Sequence, residues 1–97
     1  MSVLVKVQLD LKPEHVDSFD TFLASIIEDT RSFDGCQSMV CYTNQDAPTE
    51  VVFVETWDSR GHYEKYFAWR QEVGTLEALG GMLASDPHIG FYDHSGH

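Results

Sequence analysis

Hydrophobic and polar residues alternate at the start of the chain, in the segment VLVKVQLDL that begins at Val3. This alternation predicts a strand with one buried and one exposed face. From Pro13, apolar residues recur instead at spacings of three and four, which predicts a helix with one apolar stripe. The stripe consists of Val16, Phe19, Phe22, Leu23, Ile26 and Ile27.

Two further strands are predicted in the middle of the chain. Asp34-Gly35 ends the first helix, and Cys36 to Thr43 is rich in residues that favour strands. Thr49 to Trp57 has the same character, and the polar turn Asn44 to Pro48 joins the two segments. A turn this short favours an antiparallel hairpin.

The last part of the chain predicts an interrupted helix and a final strand. Asp58 or Ser59 is a suitable N-cap for a helix that runs to about Arg70. Gly74-Thr75 breaks it, and Asp86-Pro87 then stops a helical segment marked by leucines. The leucines are Leu76, Leu79 and Leu83, and the strand is His88 to Tyr92.

The order of these elements is βαββαβ, which is the ferredoxin-like arrangement of the α+β class. It predicts an antiparallel sheet with helices on one face. With 97 residues, the chain has room for one core. We therefore expect a single domain over residues 1–93, followed by a short polar tail at 94–97.

The face of the sheet away from the helices is not expected to be wholly solvated. Val52 and Val54 oppose Val51 and Phe53 on the third strand, and the second strand likewise has apolar residues on both faces. An exposed apolar sheet face usually marks an interface. The commonest way to bury such a face is contact with the same face of a second copy. The pattern predicts a homodimer that buries sheet against sheet.

Charge and composition exclude several kinds of partner. Sixteen carboxylates against six Lys and Arg give a net charge of −10, which repels nucleic acid and anionic membrane surfaces. No membrane span or signal region is recognisable, so we expect a cytoplasmic protein. No spacing of His and Cys indicates a metal site, and no nucleotide or redox motif is present. No cofactor is predicted.

Glu55 is the one ionisable residue in an apolar stripe of the third strand. Alternation places it on the same face as Val51, Phe53 and Trp57. It either reaches water or an arginine at the end of the strand, or it is partly desolvated. In the second case its pKa is raised, and it can accept a proton or hold a substrate hydroxyl.

Tyr63, Tyr66, Phe67 and Arg70 share one face of the second predicted helix, and His62 flanks that face. Phe67 is expected to pack in the core. Each tyrosine either packs in the core with a hydrogen-bond partner or binds a ligand in a pocket. Arg70 either extends outward or binds Glu55 or an anionic ligand.

These residues resemble antibiotic-biosynthesis monooxygenase (ABM) domains over nearly the whole chain. The resemblance lies in the VKVQLDLKP opening, the DGC before the second strand, ETWDS at the end of the third strand, and YFAWR in the following helix. The family implies dimers of ferredoxin-like subunits, each with a pocket between sheet and helices. Trp57 matches the family's pocket tryptophan, and Tyr63 lies where some polyketide-oxidising members carry a pocket tyrosine. Haem-degrading members carry a histidine where this chain has Tyr66 or Phe67.

The resemblance implies oxygenation, without a cofactor, of a small electron-rich aromatic such as a quinol, a phenol or a polyketide-like ring. Trp57, Phe53 and Phe67 are then expected to line the pocket, and Tyr63 and Tyr66 to bind substrate oxygens. Glu55 or His62 acts as the base, and Arg70 stabilises the anion. The alternatives are a dimeric ligand-binding or stress-associated module without turnover, and a proton-transfer isomerase.

Overall fold

A computed structural model describes residues 2–97 and contains four strands and three α-helices. A short 3-10 turn, Pro13–His15, precedes the first helix. The elements in chain order are β1 Val3–Asp10, α1 Val16–Arg31, β2 Cys36–Asn44, β3 Ala47–Trp57, α2 Arg60–Glu72, α3 Thr75–Gly80 and β4 His88–Tyr92.

The strands form one antiparallel sheet in the order β2-β3-β1-β4. This is the predicted ferredoxin-like α+β fold. On β1, Val3, Val5, Val7 and Leu9 are buried beneath the helices, while the residues between them face outward. The central strands are β3 and β1, so residues in the middle of either have a strand on both sides. That placement isolates their inward side chains from water.

The hairpin between β2 and β3 is tighter than the sequence predicts. β3 starts at Ala47 rather than Thr49, and the connection is reduced to Gln45 and Asp46. Asn44 Oδ1 accepts a 2.9 Å hydrogen bond from the backbone N–H of Asp46, which stabilises the turn. Pro48 is tolerated because β1 pairs with β3 only as far as Glu50, and the β2–β3 register shifts at this end.

The prediction that Leu83 continues a helix is wrong. α3 ends at Gly80, and Leu83 forms an isolated bridge to Leu11. The backbone here pairs with the end of β1, since Ala84 N–H donates to Asp10 O at 2.7 Å. These strand-like hydrogen bonds outweigh the leucine spacing.

The outer face of the sheet carries exposed apolar side chains. Val40 is 42% exposed and Tyr42 is 56% exposed, both on β2. Leu4 and Tyr92 are also exposed, on β1 and β4. The face opposite the helices therefore carries exposed apolar side chains, as the alternation on β2 and β3 predicts, beside polar ones such as Lys6 and Gln8 on β1.

Candidate functional site

A small cavity lies between the inner face of the sheet and the helices. Its volume is about 60 Å³, and its lining is mostly apolar. The polar side chains that reach it are Thr30, Glu55, Tyr63, Tyr66, Arg70 and Thr75. An apolar cavity of about 150 Å³ is known to admit benzene. The cavity is therefore smaller than an aromatic ring requires.

Glu55 brings a carboxyl group to this cavity from the middle of the sheet. The residue is 2% exposed, and its cross-strand neighbours are Val5 and Met39. The only hydrogen bond that its carboxyl group receives from residues 2–97 comes from Trp57 Nε1, at 2.9 Å from Oε1. Burial raises the pKa of Glu55 to about 7, and the bond from Trp57 opposes that rise. A carboxyl group with this pKa can both take and return a proton near neutrality.

Tyr66, Thr30 and Arg70 form a buried hydrogen-bond network across α2 and α1. The Tyr66 hydroxyl lies 2.7 Å from Thr30 Oγ1 and accepts a 2.9 Å hydrogen bond from Arg70 Nε. Arg70 Nη2 also donates to Thr30 Oγ1 and to Ile26 O. The Tyr66 hydroxyl is thus occupied by protein partners, and burial raises its pKa.

Tyr63 differs from Tyr66 because no side chain in residues 2–97 hydrogen-bonds its hydroxyl. It lines the same cavity and is buried. Burial is the main cause that raises its pKa, and the nearby Glu55 carboxylate adds to the effect. A phenol in this environment stays protonated at neutral pH and keeps a hydrogen to donate.

Trp57 lies behind the cavity and is not among its lining residues. It is fully buried, with its ring centroid 5.6 Å from Tyr63 and 5.1 Å from Tyr66. Phe53 does line the cavity and stacks on Phe19 at 6.1 Å. The indole therefore supports both tyrosines and holds Glu55 through its N–H.

A larger open groove adjoins the cavity between α2 and β4. It has a volume of about 360 Å³ and is lined by Tyr63, Glu64, Phe67, Ile89 and Phe91. Tyr63, Phe67 and Ile89 line both spaces. Phe67 is only half-buried, so its ring can turn outward more readily than those of the buried residues. These three side chains separate the groove from the carboxyl group.

His62 does not line the cavity. Its Nδ1 lies 2.6 Å from Ser59 Oγ, and Ser59 caps α2 by accepting from the His62 backbone N–H. The ring packs under Gly35, where an added Cβ would come within 2.5 Å of the imidazole. Gly35 also has a φ of +90°, so it both permits the turn and makes room for His62.

Six of the eight residues singled out in the sequence meet at this cavity: Phe53, Glu55, Tyr63, Tyr66, Phe67 and Arg70. Sequence reasoning missed Thr30, which is fully buried and bonded to Tyr66. A signal was available, because Thr30 continues the Phe19, Leu23 and Ile26 stripe as a polar residue at helical spacing. It also missed Thr75, Leu76 and Leu79 of α3 as lining residues.

Neither a metal cluster nor a membrane-spanning helix is found among the described residues. Within residues 2–97, no three His, Cys, Asp or Glu side chains come together as metal ligands would. No helix in that range has the length and apolar character needed to cross a bilayer.

The fold is shared with solved structures from several organisms. A conserved protein of Methanosarcina mazei is 22% identical, with a TM-score of 0.89 and coverage of 98% of this chain and 94% of that one. A crystal structure of an antibiotic biosynthesis monooxygenase is 22% identical, with a TM-score of 0.86 and coverage of 95% and 97%. A protein of Mycobacterium tuberculosis is 21% identical, with a TM-score of 0.86 and coverage of 100% and 98%.

At these identities, the structural matches establish the ferredoxin-like fold. A comparison with curated protein sequences found no match. The sequence profile of the family described as antibiotic biosynthesis monooxygenase matches residues 2–72, which is most of the chain. The chain belongs to the antibiotic biosynthesis monooxygenase family, as its motifs predict.

Proposed function

We propose that this protein is a monooxygenase that needs no cofactor and acts on a small electron-rich aromatic, such as a quinol, a phenol or a polyketide-like ring. The observation that carries the proposal is Glu55, a buried carboxyl group with a pKa of about 7 beside a cavity walled by aromatic rings. Family membership supports the class of reaction.

The ring enters from the groove between α2 and β4. Because the closed cavity measures only about 60 Å³, Phe67 must turn outward to join it to the groove. The reacting hydroxyl then reaches Glu55, while the rest of the ring occupies space that is open to the groove. Phe53 packs against the ring from the sheet side.

The chemistry begins with proton transfer to Glu55. Its carboxylate takes the phenolic proton, and the electron-rich anion gives an electron to dioxygen. The two radicals combine, and a C–O bond forms at a ring carbon that bears hydrogen. Glu55 returns its proton to the peroxide. The O–O bond then breaks as that carbon loses its hydrogen, which leaves one oxygen on the ring and one in water.

These reaction steps balance without an added reductant. For a phenol with a free para position, one phenol and one dioxygen give one quinone and one water. The ring supplies all four electrons. The protein's part is to exclude water, hold the ring and move one proton.

The other site residues have supporting roles in this proposal. Tyr63 donates a hydrogen bond to a substrate oxygen, since its own hydroxyl has no partner in residues 2–97. Tyr66 is held by Thr30 and Arg70 and fixes one wall of the cavity. Trp57 positions Glu55 through its N–H, and His62 serves the N-terminus of α2 rather than proton transfer.

The same carboxyl group also favours one alternative, a proton-transfer isomerase. A group with a pKa near 7 can move a proton between two atoms of a substrate with no oxygen involved. A ligand-binding module would use the cavity without any reaction.

Oxygen uptake with hydroquinone, a simple phenol and an anthrone separates these possibilities. We expect uptake above the protein-free rate with at least one probe, and one atom from ¹⁸O-labelled dioxygen in the product. Glu55→Gln should lower the rate by about 10² to 10⁴, the range typical of a lost general base. Glu50→Gln, on the other face of the same strand, is the matched control and should keep its activity.

Conversion of a probe without oxygen would instead support the isomerase. Binding of probes with no conversion at all would reduce the protein to a ligand-binding module. Equal rates in Glu55→Gln and the native protein would remove Glu55 as the base.

The active form is a homodimer in this proposal. The outer sheet face presents Leu4, Val40, Tyr42 and Tyr92 to solvent, and a second copy would cover them. A self-complementary contact between like faces closes after two subunits. Each subunit keeps its own cavity on the opposite side of its sheet.

A further inference from the structure

Arg70 is a buried cation with no carboxylate partner. The residue is 3% exposed, and its hydrogen-bond acceptors are Tyr66, Thr30, Thr75 and the carbonyl of Ile26. All of these groups are neutral. Within residues 2–97, the two ion pairs lie at the surface and involve other arginines. The guanidinium also lies over the rings of Tyr66 and Trp69, at 5.3 and 4.6 Å from their centroids, but no carboxylate pairs with its charge.

Glu55 lines the same cavity but does not neutralise Arg70. No contact within 4.0 Å joins the two groups in the described chain, and Glu55 accepts its hydrogen bond from Trp57 instead. A buried charge without an opposite charge is costly, and bound anions relieve that cost. Arg70 thus places a positive charge without a carboxylate partner beside the cavity, although the whole chain has a charge of −10.

One edge of the guanidinium retains capacity for another acceptor. Nε and Nη2 make bonds of 2.9 to 3.0 Å with Tyr66, Ile26 and Thr30. Nη1 carries two N–H groups, and its one contact is Thr75 Oγ1 at 3.5 Å, the limit of hydrogen-bond distance. Thr75 is the first residue of α3, and both residues line the cavity.

We infer that Arg70 Nη1 and the Thr75 hydroxyl bind a carboxylate group of the substrate, which makes the preferred ligand a hydroxylated aromatic acid. The choice of an aromatic ring rests on the proposed function. A carboxylate fits better than a phenol because it is charged at neutral pH, whereas a free phenol has a pKa of about 10. A hydrogen bond from the charged Nη1 group to a carboxylate oxygen is also stronger than one to a neutral acceptor.

Binding measured without oxygen tests this inference. The probes are 2,5-dihydroxybenzoate, its amide 2,5-dihydroxybenzamide, and hydroquinone, each titrated by calorimetry under nitrogen. We expect the acid to bind at least about tenfold more tightly than the amide, a preference that runs against the negative charge of the chain. Equal or tighter binding of the amide to the native protein would overturn the inference, and this comparison needs no variant.

Matched variants locate the effect. Arg70→Gln should abolish the preference for the acid, while Lys65→Gln removes one positive charge from the exposed side of the same helix and should leave it intact. Replacing Arg70 also removes its hydrogen bonds to the buried Tyr66, Thr30 and Ile26 groups. Thr75→Val is a second variant that leaves those bonds in place. It should weaken binding of the acid severalfold and leave binding of hydroquinone unchanged.

The outcomes separate this inference from the proposed function. A clear preference for the acid with no oxygen uptake would leave the carboxylate site standing and remove the oxygenase. Oxygen uptake with hydroquinone and no preference for the acid would support the oxygenase and overturn the carboxylate site. An unchanged acid preference in folded Arg70→Gln would also overturn the site.

Discussion

Glu55 and Trp57 lie two residues apart on the inner face of β3, and Trp57 Nε1 donates a 2.9 Å hydrogen bond to Glu55 Oε1. Both are almost fully buried. The bond fixes the direction of the carboxyl group and favours its charged form. Burial acts in the opposite direction and dominates, so the pKa of Glu55 settles near 7.

Loss of the indole N–H should raise the pKa of Glu55 further. In Trp57→Phe the carboxylate loses its one hydrogen-bond donor from the described chain, and burial then acts unopposed. The midpoint of the rate against pH should move above about 7. Trp69→Phe is the control, because Trp69 packs against Phe33 and Tyr66 and makes no bond to Glu55. An unmoved midpoint in Trp57→Phe would show that the bond does not tune the carboxyl group.

The contribution of Glu55 to the free energy of unfolding should fall as pH rises from 4.5 to 7. The folded protein keeps the proton on Glu55 up to about pH 7, whereas an exposed glutamate loses it near 4.5. Between those values the folded state binds more protons, so rising pH destabilises it, by about 3 kcal/mol for this group. Above pH 7 the effect of this group levels off.

Urea denaturation of the native protein and Glu55→Gln at pH 5 and pH 8 isolates this effect. The other carboxylates contribute equally to both proteins and cancel in the difference. Glu55→Gln should be relatively more stable at pH 8 than at pH 5. A difference that does not depend on pH would mean that Glu55 ionises normally.

Phe67 is expected to control entry from the groove. Phe67→Ala joins the groove to the cavity and should lower the KM for bulky rings more than for hydroquinone. Phe91→Ala is the control, since Phe91 lines the groove but not the cavity. If both variants change KM alike, the ring does not pass Phe67.

The outer sheet face should hold two copies together. Tyr42→Glu places a charge on its most exposed apolar residue and should convert a dimer to a monomer in light scattering at micromolar concentration. Val73→Lys, an exposed apolar residue just after α2, should leave the mass unchanged. A native monomer at that concentration would argue against the dimer.

Local patterns in the sequence predict the fold and much of the site. Alternation on β3 places Glu55 and Phe53 on the buried face, and helical spacing brings Tyr63, Tyr66 and Arg70 to the inner side of α2. Both arguments depend only on neighbours within a few residues. Predictions of this kind therefore hold whenever the predicted strand or helix forms.

The features that the sequence does not predict depend on contacts between distant parts of the chain. Thr30 meets Tyr66 across 36 residues, and no local pattern pairs them. The end of α3 is set by backbone hydrogen bonds between residues 82–84 and residues 10–12, which helical spacing cannot reveal. Trp57 points inward as alternation predicts, but it packs against Tyr63 and Tyr66 and is not among the residues that line the cavity.

The pKa of Glu55 itself is the most direct test of the account. Carbon-13 labelling of glutamate side chains allows the carboxyl carbon of Glu55, assigned by its absence in Glu55→Gln, to be followed by NMR from pH 4 to pH 9. A midpoint of about 7 would support a carboxyl group able to exchange a proton at neutrality. A midpoint near 4.5, the ordinary value for an exposed glutamate, would contradict it.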